Sequence, residues 1–151
     1  MTNKPETINS KDLILKKDAL IYKRNTNTPF TGIEEFYENG QLKFRWSYID
    51  GKREGLQERY YENGQLKSRG NYENGEVDGL SEWFHKNGQL KFRWNYTDGA
   101  QDGLQETFYE IGQLYRRANF KKGNEHGLCE YFDEDGNLTK AQTYEEGELI
   151  K

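Results

Sequence analysis

The chain has 151 residues, of which 32% are hydrophobic and 32% are charged, and its net charge is −4. This length suits one domain, and the acidic balance argues against a nucleic-acid binder, which carries a basic surplus. Aromatic residues make up 15% of the chain, so rings can cover a sheet that stays partly exposed to water. These values predict a fold with a thin core.

Neither a disulfide nor a membrane anchor is indicated by the sequence. Cys129 is the single cysteine, so no intrachain disulfide can form. Residues 1–11 are mostly polar and contain no apolar signal-peptide core. No stretch approaches the roughly 20 apolar residues that a spanning helix needs. We therefore expect a cytoplasmic protein.

The beginning of the chain differs from the remainder. Residues 1–11 are expected to form a flexible N-terminal tail. Two short apolar runs follow, at residues 13–15 and 19–22, and they predict initial strands within residues 12–31. The tail precedes one β-hairpin repeat domain, residues 12–151. Its repeats are expected at about 32–54, 55–78, 79–102, 103–126 and 127–151.

Glycines recur with a fixed period of 24 residues through these repeats. The first series is Gly40, Gly64, Gly88, Gly112 and Gly136. The second series is Gly51, Gly75, Gly99, Gly123 and Gly147. The third series is Gly55, Gly79, Gly103 and Gly127. A fixed period of this length indicates stacked copies of one supersecondary unit.

Each copy divides into two strands around a first-series glycine. In the second copy, strand A covers residues 56–61, strand B covers residues 65–72, and Asn63-Gly64 lies between them. Asn-Gly between alternating segments is the strongest short-range hairpin signal. No long stretch shows the apolar period of a helix. The sequence therefore predicts an all-β fold, an elongated antiparallel meander of β-hairpins in an open-ended, single-layer sheet.

The register of these hairpins has two alternatives. A two-residue Asn-Gly turn places Glu58 opposite Arg69, and cross-strand ion pairs would then recur along the sheet. A three-residue turn with a glycine bulge reverses the parity and unites Leu56 and Tyr72 on one face. We favour the three-residue turn because it gathers the apolar positions, although it also places Glu58 among them.

Strand B has two different faces. One face carries Trp46 in the first copy and Trp94 in the third, with small residues between them in the second. Ring packing is the favoured interpretation, and an exposed ligand platform is the alternative. The other face predicts a basic ladder, in which a tyrosine replaces one lysine. Its members are Lys43, Arg45, Lys67, Arg69, Lys91, Arg93, Tyr115 and Arg117.

Residues 60–67 read Tyr-Tyr-Glu-Asn-Gly-Gln-Leu-Lys, and Asp78-Gly79-Leu80 follows a second glycine turn. This pattern resembles the variant MORN repeat over about residues 19–149. The segment before the first repeat, Thr28–Gly32, is similar to that of bacterial proteins named YwqK-type antitoxins. The resemblance implies binding and neutralisation of a cognate toxin, and it offers no catalytic residues. Departures at Ile111 and Asp133 suggest a terminal cap.

Signals of enzyme chemistry are weak. His85 occupies the position that tyrosine holds in other copies, so we interpret it as a substituted aromatic rather than a catalytic base. His126 lies beside a turn glycine and is expected to be solvated. Cys129 is interpreted as a semi-buried strand thiol rather than a nucleophile. No Cys or His cluster has metal-ligand spacing, so we expect neither an enzyme nor a metal or cofactor.

The favoured function is a non-catalytic scaffold that binds a protein partner, such as a toxin. Tyr, Trp and Arg are common interface anchors, so the candidate surface combines the basic ladder with an aromatic row. That row is Tyr37, Tyr61, Trp83, His85 and Tyr109. The alternative is a phospholipid- or membrane-surface-binding module, because the ladder could meet anionic headgroups. The net acidity and the interleaved glutamates argue against this alternative.

The end of an open meander is a further candidate for interaction. Its last strand has unpaired backbone groups, and Leu149-Ile150 are expected to lie there. Two copies could form a homodimer through this edge.

Overall fold

The chain folds into β-strands joined by tight turns. A computed structural model describes residues 4–151, and predictions that fall on residues 1–3 lie outside this range. The described strands are β1 Thr7–Asn9, β2 Leu13–Leu15, β3 Ile21–Lys23, β4 Gly32–Glu38, β5 Gln41–Ile49, β6 Lys52–Tyr60, β7 Leu66–Glu73, β8 Glu76–Phe84, β9 Leu90–Thr97, β10 Ala100–Phe108, β11 Leu114–Lys121, β12 Asn124–Phe132, β13 Leu138–Glu145 and β14 Glu148–Leu149. Residues 4–151 contain no helix that is long and apolar enough to cross a membrane.

Apart from β2 and β3, the strands form open β-sheet that is mostly antiparallel. The chain divides into two compact units, of which the first ends at Glu76 and the second covers Val77–Lys151. In the first unit the strand order is β1-β4-β5-β6-β7, and in the second it is β8-β9-β10-β11-β12-β13-β14. The predicted all-β meander of repeated hairpins is therefore confirmed.

The predicted N-terminal tail is shorter than expected. Residues 7–9 form β1, which pairs in parallel with β4 and places Ile8 opposite Glu34. A 3-10 turn at Ser10–Asp12 follows. The prediction of a loose tail was therefore wrong for residues 7–11, because the free edge of β4 supplies backbone partners that no local sequence signal reveals.

The strands before the repeats form a small core in the first unit. As expected, β2 and β3 pair, and they form a separate two-stranded sheet. Leu13, Phe30 and Tyr48 are buried together, and Ile21 and Trp46 pack against them. The rings of Phe30 and Tyr48 lie 6.0 Å apart, centre to centre. Aromatic side chains thus supply most of this core.

The connection between copies is a tight turn. Asn74 and Gly75 form a two-residue turn with φ values of 52° and 91°. Both residues are left-handed, as the type I′ hairpin turn requires. β8 then begins at Glu76. The second glycine series therefore marks hairpin turns as tight as any in the chain.

Each of these second-series turns is bonded to the copy before it. The turn glycine donates its N–H to a carbonyl on the preceding copy at 2.8–2.9 Å. The bonded pairs are Gly75 to Arg53, Gly99 to Val77, Gly123 to Gln101 and Gly147 to Glu125. A carboxylate adds a second bond, because Asp78 Oδ2 accepts the N–H of Asp98 at 2.9 Å. These bonds explain the 24-residue spacing, since each copy must bring its turn onto the previous one.

The hairpin turn inside the second copy has three residues, as the favoured interpretation required. The N–H of Tyr61 donates to the carbonyl of Gln65 at 2.8 Å, and the N–H of Gly64 donates to the carbonyl of Tyr61 at 3.0 Å. Gly64 has a φ of 83°, the left-handed conformation that closes a three-residue hairpin. The first copy differs, because Glu38 pairs with Gln41 across a two-residue turn.

A β-bulge just after this turn sets the register of the strands. On β7 the pairing passes from Leu66 to Ser68 over one step of β6, so no residue of β6 lies opposite Lys67. The extra residue reverses the parity a second time. Glu58 consequently pairs with Arg69, the arrangement that a two-residue turn would have given.

The predicted grouping of apolar residues was therefore wrong. Leu56 pairs with Asn71 on the same face as Glu58, and Tyr72 lies on the opposite face, where it pairs with Gly55. Leu56 is accordingly 48% exposed. The three-residue turn was predicted correctly, but the additional bulge at Lys67 was not. The favoured register was wrong for that reason.

The left-handed turn positions provide a test of the fold. Lys122 has a φ of 50° at a position where earlier copies have Asn74 and Asp98. Asn tolerates this conformation better than Lys. We expect Lys122→Asn to raise the free energy of unfolding by about 0.5 kcal/mol in urea denaturation. The control Lys121→Asn changes an extended strand residue and should give no gain; equal stabilisation by both would contradict the turn geometry.

Candidate functional site

The lysines of the predicted basic ladder occupy the bulge. Each first-series hairpin contains the tripeptide Gly-Gln-Leu, or Gly-Asn-Leu in the last copy. The residue that follows this tripeptide has no residue opposite it on the partner strand. These extra residues are Lys43, Lys67, Lys91, Tyr115 and Thr139. Lys43 Nζ lies 3.4 Å from a carboxylate oxygen of Glu38. The lysines therefore follow the turns and do not continue a regular row with the arginines.

The arginines of the ladder are paired with glutamates in the first unit. Arg45 lies opposite both Glu35 and Glu58, with nitrogen to oxygen distances of 2.8 Å and 3.8 Å. Glu58 in turn lies opposite Arg69. The hydrogen bond to Glu35 raises the pKa of Arg45, so this guanidinium stays charged. The row is therefore alternately acidic and basic.

The same alternation continues within the second unit. Arg93 lies 3.6 Å from Glu82 and 3.4 Å from Glu106. Arg117 pairs with Glu130 at 2.5 Å and lies opposite Glu106. The Arg93 side chain is 44% exposed and that of Glu82 only 10%, so the guanidinium group lies outermost. We call this side of the sheet the ladder face, and its charges compensate one another.

Two members of the predicted aromatic row join neighbouring copies. Tyr109 donates its hydroxyl to the carbonyl of Phe132 at 2.9 Å. His85 Nε2 lies 3.1 Å from the carbonyl of Phe108, and it must donate because a carbonyl only accepts. His85 therefore makes the same link as a tyrosine, which supports its interpretation as a substituted aromatic.

The equivalent position of the last copy is Asp133, which bonds within its own turn. Its Oδ1 accepts the N–H groups of Asp135 and Asn137 at 3.0 Å and 2.8 Å. The bond from Asn137 is the main cause that lowers the pKa of Asp133. This copy replaces the link between copies with local turn bonds, as expected of a cap.

The remaining members of the row lie in different surroundings. Tyr37 is exposed, and its hydroxyl donates to Glu35 at 2.9 Å. The Tyr61 ring lies 5.6 Å from Lys67 Nζ. Trp83 pairs with Phe92, whereas its neighbour Glu82 belongs to the ladder. Because adjacent strand residues point to opposite faces, the structure does not bring Trp83 to the ladder.

The face opposite the ladder carries the large rings, and we call it the aromatic face. In the first unit the Trp46 ring lies 3.9 Å from the Phe44 ring and 3.9 Å from Arg53 Cζ. In the second unit the Trp94 and Phe92 rings lie 4.9 Å apart. Trp46 is thus in contact with its neighbours, which favours the packing interpretation over a bare platform.

Strand β12 contains the two residues with potential chemistry. Cys129 is 1% exposed and pairs with Ala118, so the thiol is more buried than expected. The expectation of a solvated His126 was wrong, because β12 begins at Asn124 and includes it. Its Nδ1 is buried without a hydrogen-bond partner in the described part of the chain. Among residues 4–151, no group of three or more His, Cys, Asp or Glu could hold a metal ion.

The sequence reasoning missed a row of leucines on the ladder face. Each lies two residues before a ladder glutamate and directly after a third-series glycine. In the second unit the row is Leu80, Leu104 and Leu128, and Leu56 occupies the equivalent position in the first unit. These side chains are 40–48% exposed. The recurring Gly-Leu pair was the available signal, but the favoured register assigned Leu56 to the packed face.

These features define a tandem β-hairpin repeat protein with two chemically different sheet faces. The family model described as MORN repeat variant matches residues 32–50, 53–74, 77–98, 101–122 and 125–146. The chain therefore belongs to the MORN repeat variant family.

The comparison with solved structures adds a distant similarity. The chain is similar to part of the structure titled "Crystal structure of GtfA/B complex bound to UDP and GlcNAc", with 14% identity and a TM-score of 0.34. The match covers 58% of this chain and 22% of that one. A comparison with curated proteins gave no match.

The alternating ladder can be tested by removing one carboxylate. Glu106 lies between Arg93 and Arg117, so Glu106→Gln should lower the free energy of unfolding by about 0.5–1 kcal/mol at low salt. The control Glu134→Gln alters an exposed turn residue and should change little. The difference between the two should shrink at about 1 M NaCl, where charges are screened within about 3 Å. A deficit that is independent of salt would contradict the ionic origin.

Proposed function

We propose that the chain is a non-catalytic, cytoplasmic scaffold that binds and neutralises a protein toxin. The resemblance to YwqK-type antitoxins motivates the identity of the partner. The observation that carries the proposal is the leucine row on the ladder face. Repeat proteins of this kind commonly bind partners through a surface that successive copies build together.

The leucine row has the properties of a protein-binding surface. Within the second unit, Leu80, Leu104 and Leu128 lie on alternate strands, and such strands are about 10 Å apart. Exposed apolar side chains that recur in a row favour an interaction site over chance exposure. Arg93 and Arg117 lie beside them on the same face. Arginine is one of the residue types enriched at interface hot spots.

The charge pattern favours a protein partner over a lipid surface. The membrane alternative depended on a basic ladder that would meet anionic headgroups. Arg93 instead lies between Glu82 and Glu106, and the whole chain carries a charge of −4. A compensated row gives little attraction to a negative surface, but it can match a partner's charges in register.

Co-expression gives the test of the antitoxin role. A reading frame adjacent to the gene should be toxic when expressed alone, and this chain should restore growth and co-purify with the toxic product. Leu80→Glu with Leu104→Glu should abolish rescue, because charge replaces the apolar contact. The control Ile111→Glu changes an exposed apolar residue in a turn outside the row. Rescue that survives the double substitution would exclude this surface.

The lipid alternative is checked separately by sedimentation with vesicles of phosphatidylserine at low salt. The proposal predicts that the wild-type chain stays in the supernatant. Sedimentation that decreases with added salt would instead favour membrane-surface binding.

A further inference from the structure

Two arginines on the aromatic face of the first unit lie over one tryptophan. Arg53 Cζ is 3.9 Å from the centre of the Trp46 ring, and Arg59 Cζ is 5.6 Å from it. Arg53 is also 5.7 Å from the centre of the Tyr72 ring. Both arginines are on β6, on the opposite face from Leu56 and its row. Cation–π contacts of this kind hold guanidinium groups flat on a ring while leaving their edges able to donate hydrogen bonds.

These two arginines differ from those of the ladder in their charge partners. Each ladder arginine faces glutamates, but within residues 4–151 neither Arg53 nor Arg59 forms an ion pair with a carboxylate. Arg53 lies opposite Tyr48 on the neighbouring strand, and the Tyr48 hydroxyl donates to Glu34 at 2.8 Å. Arg53 is half-buried. Arg59 is exposed and retains its full donor capacity.

The pair lies between small residues on one side and an aromatic ring on the other. Ser68 lies opposite Arg59 and Gly70 lies opposite Gln57, and both small residues are buried. On the other side, Phe36 is stacked on Phe44 with ring centres 5.4 Å apart, and it is 36% exposed. The exposed part of this surface therefore consists of the Arg59 guanidinium and the partly exposed Phe36 ring.

We propose that this surface binds an acidic, extended segment of a protein partner. The guanidinium edge of Arg59 binds a carboxylate of the segment, and Arg53 supports it through its own charge. An apolar side chain next to that carboxylate packs against Phe36. The site is separate from the leucine row, since the two lie on opposite faces of β6. A negative result for this second site would therefore leave the proposed function intact.

The charge balance favours a peptide carboxylate over an anionic membrane. The site consists of two neighbouring arginines, and the chain around it is acidic overall. A broad negative surface would be repelled by the rest of the molecule, whereas a short acidic segment meets only the local field. Planar guanidinium groups also match the fork of a carboxylate.

The second unit contains a natural comparison for this site. The positions of Arg53 and Arg59 correspond, two copies later, to Gln101 and Thr107. Gln101 pairs with Tyr96 and Thr107 pairs with Phe92, the same pairings that the arginines make with Tyr48 and Phe44. The scaffold therefore accepts either pair of side chains beside its tryptophan.

This correspondence defines the experiment. The probe is a capped, fluorescent peptide that alternates Glu with Phe, and its binding to the full chain is measured by fluorescence anisotropy. Arg53→Gln with Arg59→Thr should weaken binding about tenfold or more. Adding Gln101→Arg and Thr107→Arg to that variant should restore binding at Trp94. The control Lys4→Gln with Lys17→Thr removes the same charge at exposed sites and should leave the affinity unchanged.

The outcomes separate the proposal from its competitors. Circular dichroism verifies that each variant is folded, and a peptide with Gln in place of Glu should not bind. Equal affinity of wild type and the Arg53→Gln, Arg59→Thr variant would overturn the proposal. So would absence of binding to the wild type, or arginine-dependent binding of phosphatidylserine vesicles with none of the peptide.

Discussion

The constraint on which the rest of the structure depends is the one-residue bulge after each first-series hairpin turn. Side chains alternate along a strand, so one extra residue moves every later side chain to the other face. With Lys67 as that extra residue, Glu58 meets Arg69 and Leu56 becomes exposed. Without it, the glutamate would lie among the rings, where an unpaired carboxylate is costly. The turn length and the bulge together decide which face is charged, because in the first copy, with its two-residue turn, Glu34 lies opposite Trp46 and Glu35 opposite Arg45.

The residues of the repeat fall into two groups, those that link one copy to the next and those that remain exposed on the two faces. Some recurring positions stabilise the stack: the second-series turn glycines bond to the preceding copy, and Tyr109 or His85 joins its hairpin to the next. The ladder adds charge pairs that cancel along the sheet. In our proposals, partner recognition uses side chains outside these links. These are the exposed leucines of the ladder face and the arginines over Trp46 on the aromatic face.

The sequence predicted the period, the strand class and the hairpin positions, because turn glycines and strand alternation are local signals. It did not predict the register. The turn and the bulge each shift the pairing by one residue, and Lys67 looks like an ordinary member of an alternating strand. It also did not predict β1, because Thr7–Asn9 becomes a strand only beside the edge of β4.

The candidate site was only partly predicted, because its residue types are visible in the sequence but their pairing depends on the register. The arginine positions were identified, but their neutralisation by glutamates belonged to the register that was not favoured. His85 and Tyr109 were correctly seen as equivalent, yet their bonds to the next copy depend on contacts 23 residues away in the chain. The contacts of Arg53 and Arg59 with Trp46 were not predicted. From the sequence, only the glutamates of strand A were considered as pairing residues, and Trp46 was considered only in contact with other rings.

The register can be measured directly with paired cysteines in a Cys129→Ala background. Glu106→Cys with Arg117→Cys joins two directly opposed positions, whose Cβ atoms lie about 4.5–5.5 Å apart in such pairs. Glu106→Cys with Arg116→Cys removes the same charges but places the second thiol on the other face. The account predicts rapid disulfide formation in the first variant and none in the second under mild oxidation, followed by mass spectrometry. Crosslinking through position 116 and not through 117 would show that the bulge does not set the register.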